Sequence, residues 1–353
     1  MIAVQRWGGV WVLAFALLAG CTSTSEPPPL PEPPVEESAA PSAPSGATVG
    51  IVLPPRSGLD PAHLAVLERD VARVADGFGP TLRDVRTYVP DAPEFVSDLA
   101  VMLADRSTDL VCALGPDAAA TVTPLADLYR AVDFCATPAD PSGDDDPSVS
   151  RVGVRAEELG HLVGVAARRS AGAGPVGVVL GGDDITGATF REGLLAGLAG
   201  VAVIEAELED GDTLSDGVAQ VLADGATVVV IDGAAGASAA AARAAEQAVV
   251  VAPAAIGVGP DVADRLVLSW RVRWDQLLRS PIRRALGEID RGGHVVGFAN
   301  DAFELVPGAA ASPTLLEALQ TAVAEVVSGA QDPREPSTGA PVDPGSRFAE
   351  FDD

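Results

Sequence analysis

The chain alternates short β-branched runs with longer segments of helical periodicity, and it does so in two series. Val228-Val229-Val230-Ile231 is apolar at every position. A strand of that kind needs both faces of its sheet covered. In the first series, strand patterns at 49–53, 83–89, 110–114 and 132–136 are separated by helical patterns at 61–75, 94–105 and 117–128. The first helix carries Leu64, Leu67, Val71 and Val74 on one face, and Asp60-Pro61 reads as its N-cap and first residue. In the second series, strands at 152–154, 176–180, 201–206 and 227–231 alternate with helices at 156–169, 186–198, 214–223 and 237–247, before apolar runs at 248–251 and 254–258. Strand, crossover helix, strand in series predicts parallel sheets covered on both faces, an α/β fold.

An acidic loop, 137–148 with Asp144-Asp145-Asp146 at its centre, separates the two series. It predicts two Rossmann-like lobes with parallel sheets. The remainder, with strands at 265–269 and 295–298 and helices at 274–289 and 313–328, suits a chain that crosses back through a multi-crossover hinge. The expected lobes are 48–148 plus about 266–296, and 149–265 plus about 297–330.

The ends have a different character. Met1 to Arg6 carries one basic side chain, and Trp7 to Gly20 is almost wholly apolar. That run is shorter than the roughly 20 residues of a spanning helix and has the form of a secretion signal. It closes on Leu18-Ala19-Gly20-Cys21, which resembles the lipobox of bacterial lipoproteins. The resemblance implies a signal peptide over 1–20, lipid on Cys21 and a place on the extracytoplasmic face of the cell membrane. Residues 21–47, dense in Pro, Ser and Glu, predict an extended linker, and 331–353 a disordered acidic tail.

Hydrophobic residues make up 48% of the 353, enough for a large core. The net charge of −27 argues against nucleic acid as a partner, because phosphate backbones would be repelled. Cys112 and Cys135 each fall in a predicted strand. Export makes a disulfide between them chemically possible, whereas the restrictive geometry of disulfides favours two buried thiols. Nothing points to an enzyme or a cofactor: the sequence contains no nucleophile elbow and no P-loop, and His63, His161 and His294 lack metal-ligand spacing.

Glu158-Leu159-Gly160-His161-Leu162-Val163-Gly164 followed by Pro175-Val176-Gly177-Val178-Val179-Leu180-Gly181-Gly182, then Phe190-Arg191-Glu192-Gly193-Leu194-Leu195-Ala196-Gly197, then 225–236, resembles in order and spacing the basic membrane protein family. These are purine-nucleoside receptor-like lipoproteins of ABC importers with the type I periplasmic-binding-protein fold. The resemblance extends from Thr48 to about Ala330. It implies a solute-binding protein that closes two lobes around a small polar ligand, with a nucleoside as the family's ligand and permease subunits as partners. Ligands of open α/β sheets sit beyond the carboxyl ends of the strands. The candidates there are Arg56 and Ser57, Gly115 and Asp117, Asp183 with Asp184, Asp232 and Gly233, Gly259 and Asp261, and Arg271 with Arg273. The loop after the first strand, Pro54-Pro55-Arg56-Ser57-Gly58, lacks the family's Asp and Phe-Asn pair. A second reading is therefore a binding-protein fold turned envelope scaffold or sensor partner.

Overall fold

The structure, a computed structural model, describes residues 46–115, 117–139, 149–181, 187–209, 211–233, 235–253, 259–288 and 294–336. All belong to one unit, Pro44–Asp353. Cys21, the leader, the linker up to residue 45, Asp183, Asp184, the Asp144–Asp146 run and the 337–353 part of the tail lie outside the described residues.

The first lobe begins with β1 (Ala47–Val52), α1 (Pro61–Phe78), β2 (Leu82–Tyr88), α2 (Phe95–Asp105), β3 (Leu110–Leu114), α3 (Ala118–Leu128), β4 (Asp133–Thr137) and β5 (Val149–Val154). The second lobe follows with α4 (Ala156–Ala171), β6 (Val176–Leu180), α5 (Gly187–Gly197), β7 (Val203–Glu205), α6 (Leu214–Ala223), β8 (Val228–Asp232), α7 (Ala237–Ala245), β9 (Val249–Pro253), α8 (Pro260–Ala263) and β10 (Leu266–Val272). The chain then returns to the first lobe for α9 (Trp274–Ala285) and β11 (His294–Val296), and ends in the second with β12 (Phe303–Pro307) and α10 (Pro313–Ser328). The sheet orders are β11-β5-β4-β3-β1-β2 and β12-β10-β9-β8-β6-β7. All pairings are parallel except β10 with β12. The α/β architecture of two lobes is as the alternation predicts, and β8 is buried at all five positions.

The lobe boundaries need correcting. The acidic loop does not divide the lobes. β5 pairs with β4, Val149 opposite Phe134, so 149–154 belongs to lobe 1. β10 pairs with β9 and β12, so 266–272 belongs to lobe 2. The physical reason is that sheet membership is decided by which strand edge a segment pairs with, here β4, and the alternation pattern does not signal pairing. Arg284, buried on α9, pins this arrangement: Nη1 donates to Ser150 Oγ on β5, and Nη2 lies 3.5 Å from Asp133 Oδ1 on β4.

Cys112 and Cys135 are bonded, with an S–S distance of 1.98 Å, which corrects the expectation of two thiols. They are register partners on β3 and β4 with Cα atoms 4.4 Å apart, within disulfide range. Strand register, which the sequence does not display, decided this. α1 starts as expected: Asp60 accepts a hydrogen bond from the Ala62 N–H at 3.0 Å, and Pro61 opens the helix. No helix among the described residues is long and apolar enough to cross a membrane.

In lobe 2, α4 and α5 touch backbone to backbone. A Cβ on Gly160 would lie 2.1 Å from the Phe190 carbonyl oxygen, and one on Gly193 would lie 2.1 Å from that of Glu157. Gly164 and Gly197 meet their opposite helices as closely, at 2.4 and 2.2 Å. The glycine-bearing motifs that carry the family resemblance are therefore packing motifs: they let two helices approach until only main chain separates them. Phe190 also stacks on Trp270 of β10, with ring centroids 5.8 Å apart. One apolar cluster runs continuously from Val49 and Leu67 in lobe 1, through Trp274 and Trp270, to Phe190 and Leu194 in lobe 2.

Candidate functional site

In parallel sheets all carboxyl strand ends lie on one side, and the loops there form the rim at which ligands bind. In lobe 1 this rim gathers the segments after β1, β2, β3 and β4. Arg56 and Ser57 form a short 3-10 turn after β1. The Arg56 N–H donates to the Pro90 carbonyl at 2.9 Å, and its guanidinium lies 3.8 Å from Asp91, an exposed pair. Gly115 ends β3 with φ +119°, a conformation that favours glycine, and its N–H donates to the Thr137 carbonyl at 3.0 Å. A Cβ at Gly115 would meet the Pro54 ring at 3.3 Å, so the β1 and β3 loops are in contact. Asp117 precedes α3, exposed and without a side-chain capping bond. Among the described residues, Pro54 and Pro55 follow β1, Pro90 follows β2 and Pro138 follows β4, where they bring no N–H donors.

In lobe 2 the ends of β6 and β8 meet. The Gly181 N–H donates to the Asp232 carbonyl at 2.7 Å, and a Cβ on Gly181 would lie 3.4 Å from the Gly233 Cα. Asp232 is buried where β8 ends. The structure thus brings Arg56, Ser57, Gly115 and Asp117 to one rim, and Asp232 and Gly233 to the other. Three sequence candidates stand elsewhere. Asp261 is exposed in the first turn of α8, on the connection that returns to the start of β10. Arg271 lies within β10, which runs three residues past its expected end, and faces Glu304 of β12. Arg273 is the residue at the crossover and pairs with Asp275 at 3.0 Å.

Three crossovers link the lobes, and hydrogen bonds tie them together. The Arg155 N–H donates to the Val296 carbonyl (2.9 Å), and the Arg273 N–H to that of Ala302 (2.8 Å). Glu158, buried at the start of α4, accepts the Phe298 N–H at 2.9 Å and holds Arg155 at 3.1 Å. These contacts converge on Arg155, Arg273 and 297–302, as a hinge requires. Sequence reasoning missed Asp70, Glu158, Arg284 and Glu304. For Asp70 a signal existed: it sits among Leu67, Val71 and Val74 on the apolar face of α1, where an acid is out of place.

Among the described residues no group of three or more metal-ligating side chains occurs. A hollow of about 590 Å³ lies at the amino ends of the lobe 1 strands, beside Ala47, Thr81 and Asp109, and another of about 400 Å³ lies between α1 and β2. The first lies at the opposite end of the sheet from the strand-end rim, whereas the second reaches Val89, the residue after β2.

No family model matches the sequence, and no curated protein matches it. Solved structures do match the fold. An ABC transporter solute-binding protein from Conexibacter woesei superposes with TM-score 0.63 at 19% identity over 81% of this chain and 98% of its own. A transcriptional activator of the comK gene from Bacillus halodurans gives 0.63 at 15% identity over 81% and 100%. A periplasmic solute-binding protein from Actinobacillus succinogenes, with bound D-allose, gives 0.55 at 13% identity over 74% and 97%. The chain has the two-lobed α/β fold of type I periplasmic binding proteins.

Proposed function

We propose that this chain is the lipid-anchored, extracytoplasmic solute-binding component of an ABC importer. It takes a small polar ligand between its lobes and does no chemistry on it. The observation that carries this reading is the knitted triple crossover between two sheets, each with its strand ends gathered at a rim. That arrangement suits closure around a solute, and the solute-binding proteins of similar fold support it. Arg56, Ser57, Gly115, Asp117, Asp232 and Gly233 are the proposed contacts. Asp232 is the strongest, because a buried carboxylate beside two close glycines can accept hydroxyl or N–H bonds from a ligand. A nucleoside is the ligand that the family resemblance suggests. Lipid on Cys21 would hold the body near its permease.

A thermal-shift screen with nucleosides, sugars and amino acids tests the reading. A ligand at a hundredfold its Kd adds about 2.7 kcal/mol of stability. That corresponds to a rise of roughly 4–5 °C, which Asp232→Ala should abolish. Metabolic labelling with a radioactive fatty acid, lost in Cys21→Ser, tests the anchor. The second reading, an envelope scaffold or sensor partner, is favoured by the proline-rich rim of lobe 1. A screen with no stabilising ligand would support it and count against the importer.

A further inference from the structure

Asp70 lies on α1 in lobe 1 and is wholly buried. Its Oδ1 stands 3.2 Å from Arg271 Nη1 and 3.0 Å from Arg73 Nη1, while Oδ2 has no hydrogen-bond partner among the described residues. Arg271 belongs to the other lobe. It sits on β10, two residues before the Arg273 crossover, and its side chain is only 16% exposed. Its Nε and Nη2 are held by Glu304 Oε2 at 2.9 and 2.5 Å, across the β10–β12 ladder. The guanidinium is thus fixed in lobe 2 by one carboxylate and reaches with its free edge to a second carboxylate in lobe 1.

We propose that Asp70 and Arg271 form an inter-lobe latch, which holds the lobes at the angle seen here while Asp70 is ionised and lets go when Asp70 is protonated. The asymmetry of the pair makes it reversible. Breaking a buried ion pair is costly chiefly because a charge is left uncompensated. Here release leaves neither cation uncompensated: Arg271 keeps Glu304, and Arg73 is 42% exposed. A protonated Asp70 needs no cation at all.

The groups facing Asp70 are Arg73 on its own helix, Arg271 on β10, Asp275 and the Trp274 N–H at the start of α9, and Glu304 and Arg273 behind them. Burial raises the pKa of Asp70 above its ordinary value, and Asp275 adds to the rise. Arg271, Arg73 and the Trp274 N–H pull the other way. With the folded pKa above the unfolded one, the folded state binds the extra proton, and stability falls as pH rises through that window. Arg271 is the largest of the influences that favour the ionised form. At an angle where Asp70 stays buried but Arg271 has withdrawn the pKa is higher still, so proton uptake favours the released angle.

The test measures an inter-lobe distance directly and needs no ligand. Nitroxides are placed at Asp76→Cys on α1 and Gln320→Cys on α10, both exposed, in the chain carrying Cys21→Ser. Pulsed electron resonance then reads the distance distribution. The wild-type background should give a narrow distribution near neutral pH. Asp70→Asn and Arg271→Gln should each shift or broaden it by several ångström, as hinge rotation does. The double variant should add nothing further. Lowering the pH from about 8 to about 4 should reproduce the change in the wild-type background, but not in Asp70→Asn. Unchanged distributions in both variants overturn the latch, and so does a pH response that survives in Asp70→Asn. If a variant fails to fold, the wild-type titration decides: a constant distance with native circular dichroism across that range overturns the proposal.

Discussion

The contact between α4 and α5 makes one substitution quantitatively predictable. Gly160→Ala adds a single methyl group 2.1 Å from the Phe190 carbonyl oxygen and 2.8 Å from the Leu194 nitrogen. Ordinary contact begins near 3.4 Å, so α5 must withdraw by about 1.3 Å. The obstructing atoms are main chain, and no change of rotamer relieves them. The withdrawal also opens the seam beside Gly164, Gly193 and Gly197 and loosens Leu159, Leu162, Val163, Phe190 and Leu194, all fully buried. A gap of even about 0.5–1 Å forfeits a quarter to a half of a van der Waals contact. Overpacking alone costs about 1–3 kcal/mol and sometimes more. Alanine's helix preference returns about 1 kcal/mol. Because four backbone contacts are lost together, we expect a net loss of about 3 kcal/mol, the upper part of that range. For a folded body of this size it corresponds to a fall in Tm of roughly 5 °C. Urea denaturation followed by circular dichroism and by the fluorescence of buried Trp270 and Trp274 would measure it. Gly77→Ala is the control: Gly77 is also helical, but nothing lies within 4 Å of an added Cβ. It should gain about 0.5–1 kcal/mol. Should Gly160→Ala match the Gly77→Ala gain, the backbone-contact reasoning is refuted.

Other consequences are equally direct. His161 is buried, with Nδ1 3.1 Å from the Pro333 carbonyl oxygen. Burial lowers its pKa, the bond to Pro333 opposes the shift, Arg168 adds to it, and Asp332 and Glu325 oppose it. As pH falls below the unfolded value of 6.5, the unfolded chain takes up the proton first and stability is lost. The wild type should therefore lose stability relative to His161→Gln as pH drops from about 7.5 to about 5.5, whereas parallel denaturation curves would deny the linkage. Intact mass in denaturant should rise by two hydrogens on reduction, reporting the Cys112–Cys135 bond. For its separation of 23 residues, replacing both cysteines by alanine should cost about 3 kcal/mol, and a loss near zero would contradict the loop-closure account.

The sequence by itself determined the fold class, because element type depends on local periodicity. A short, wholly β-branched run such as 228–231 reads as a doubly covered strand, and Asp60-Pro61 can be read as a helix start without knowing what the helix packs against. Strand ends were legible for the same reason, since parallel topology places every carboxyl end on one side: the β1 loop meets Gly115 through Pro54, and Gly181 meets Asp232 through a main-chain bond. Pairing in space was not legible. Whether 149–154 joins the first sheet depends on which edge of β4 is open, and the Cys112–Cys135 bond depends on the register of β3 against β4. The meaning of Arg271 changed most. In the sequence it is a cation after a strand. In the structure an antiparallel strand with no strong signature, β12, brings Glu304 beside it, and a helix 201 positions earlier in the chain supplies Asp70. Local periodicity fixes which faces are apolar, but the energy of a buried charge is set by partners distant in sequence, and only the tertiary structure assembles them.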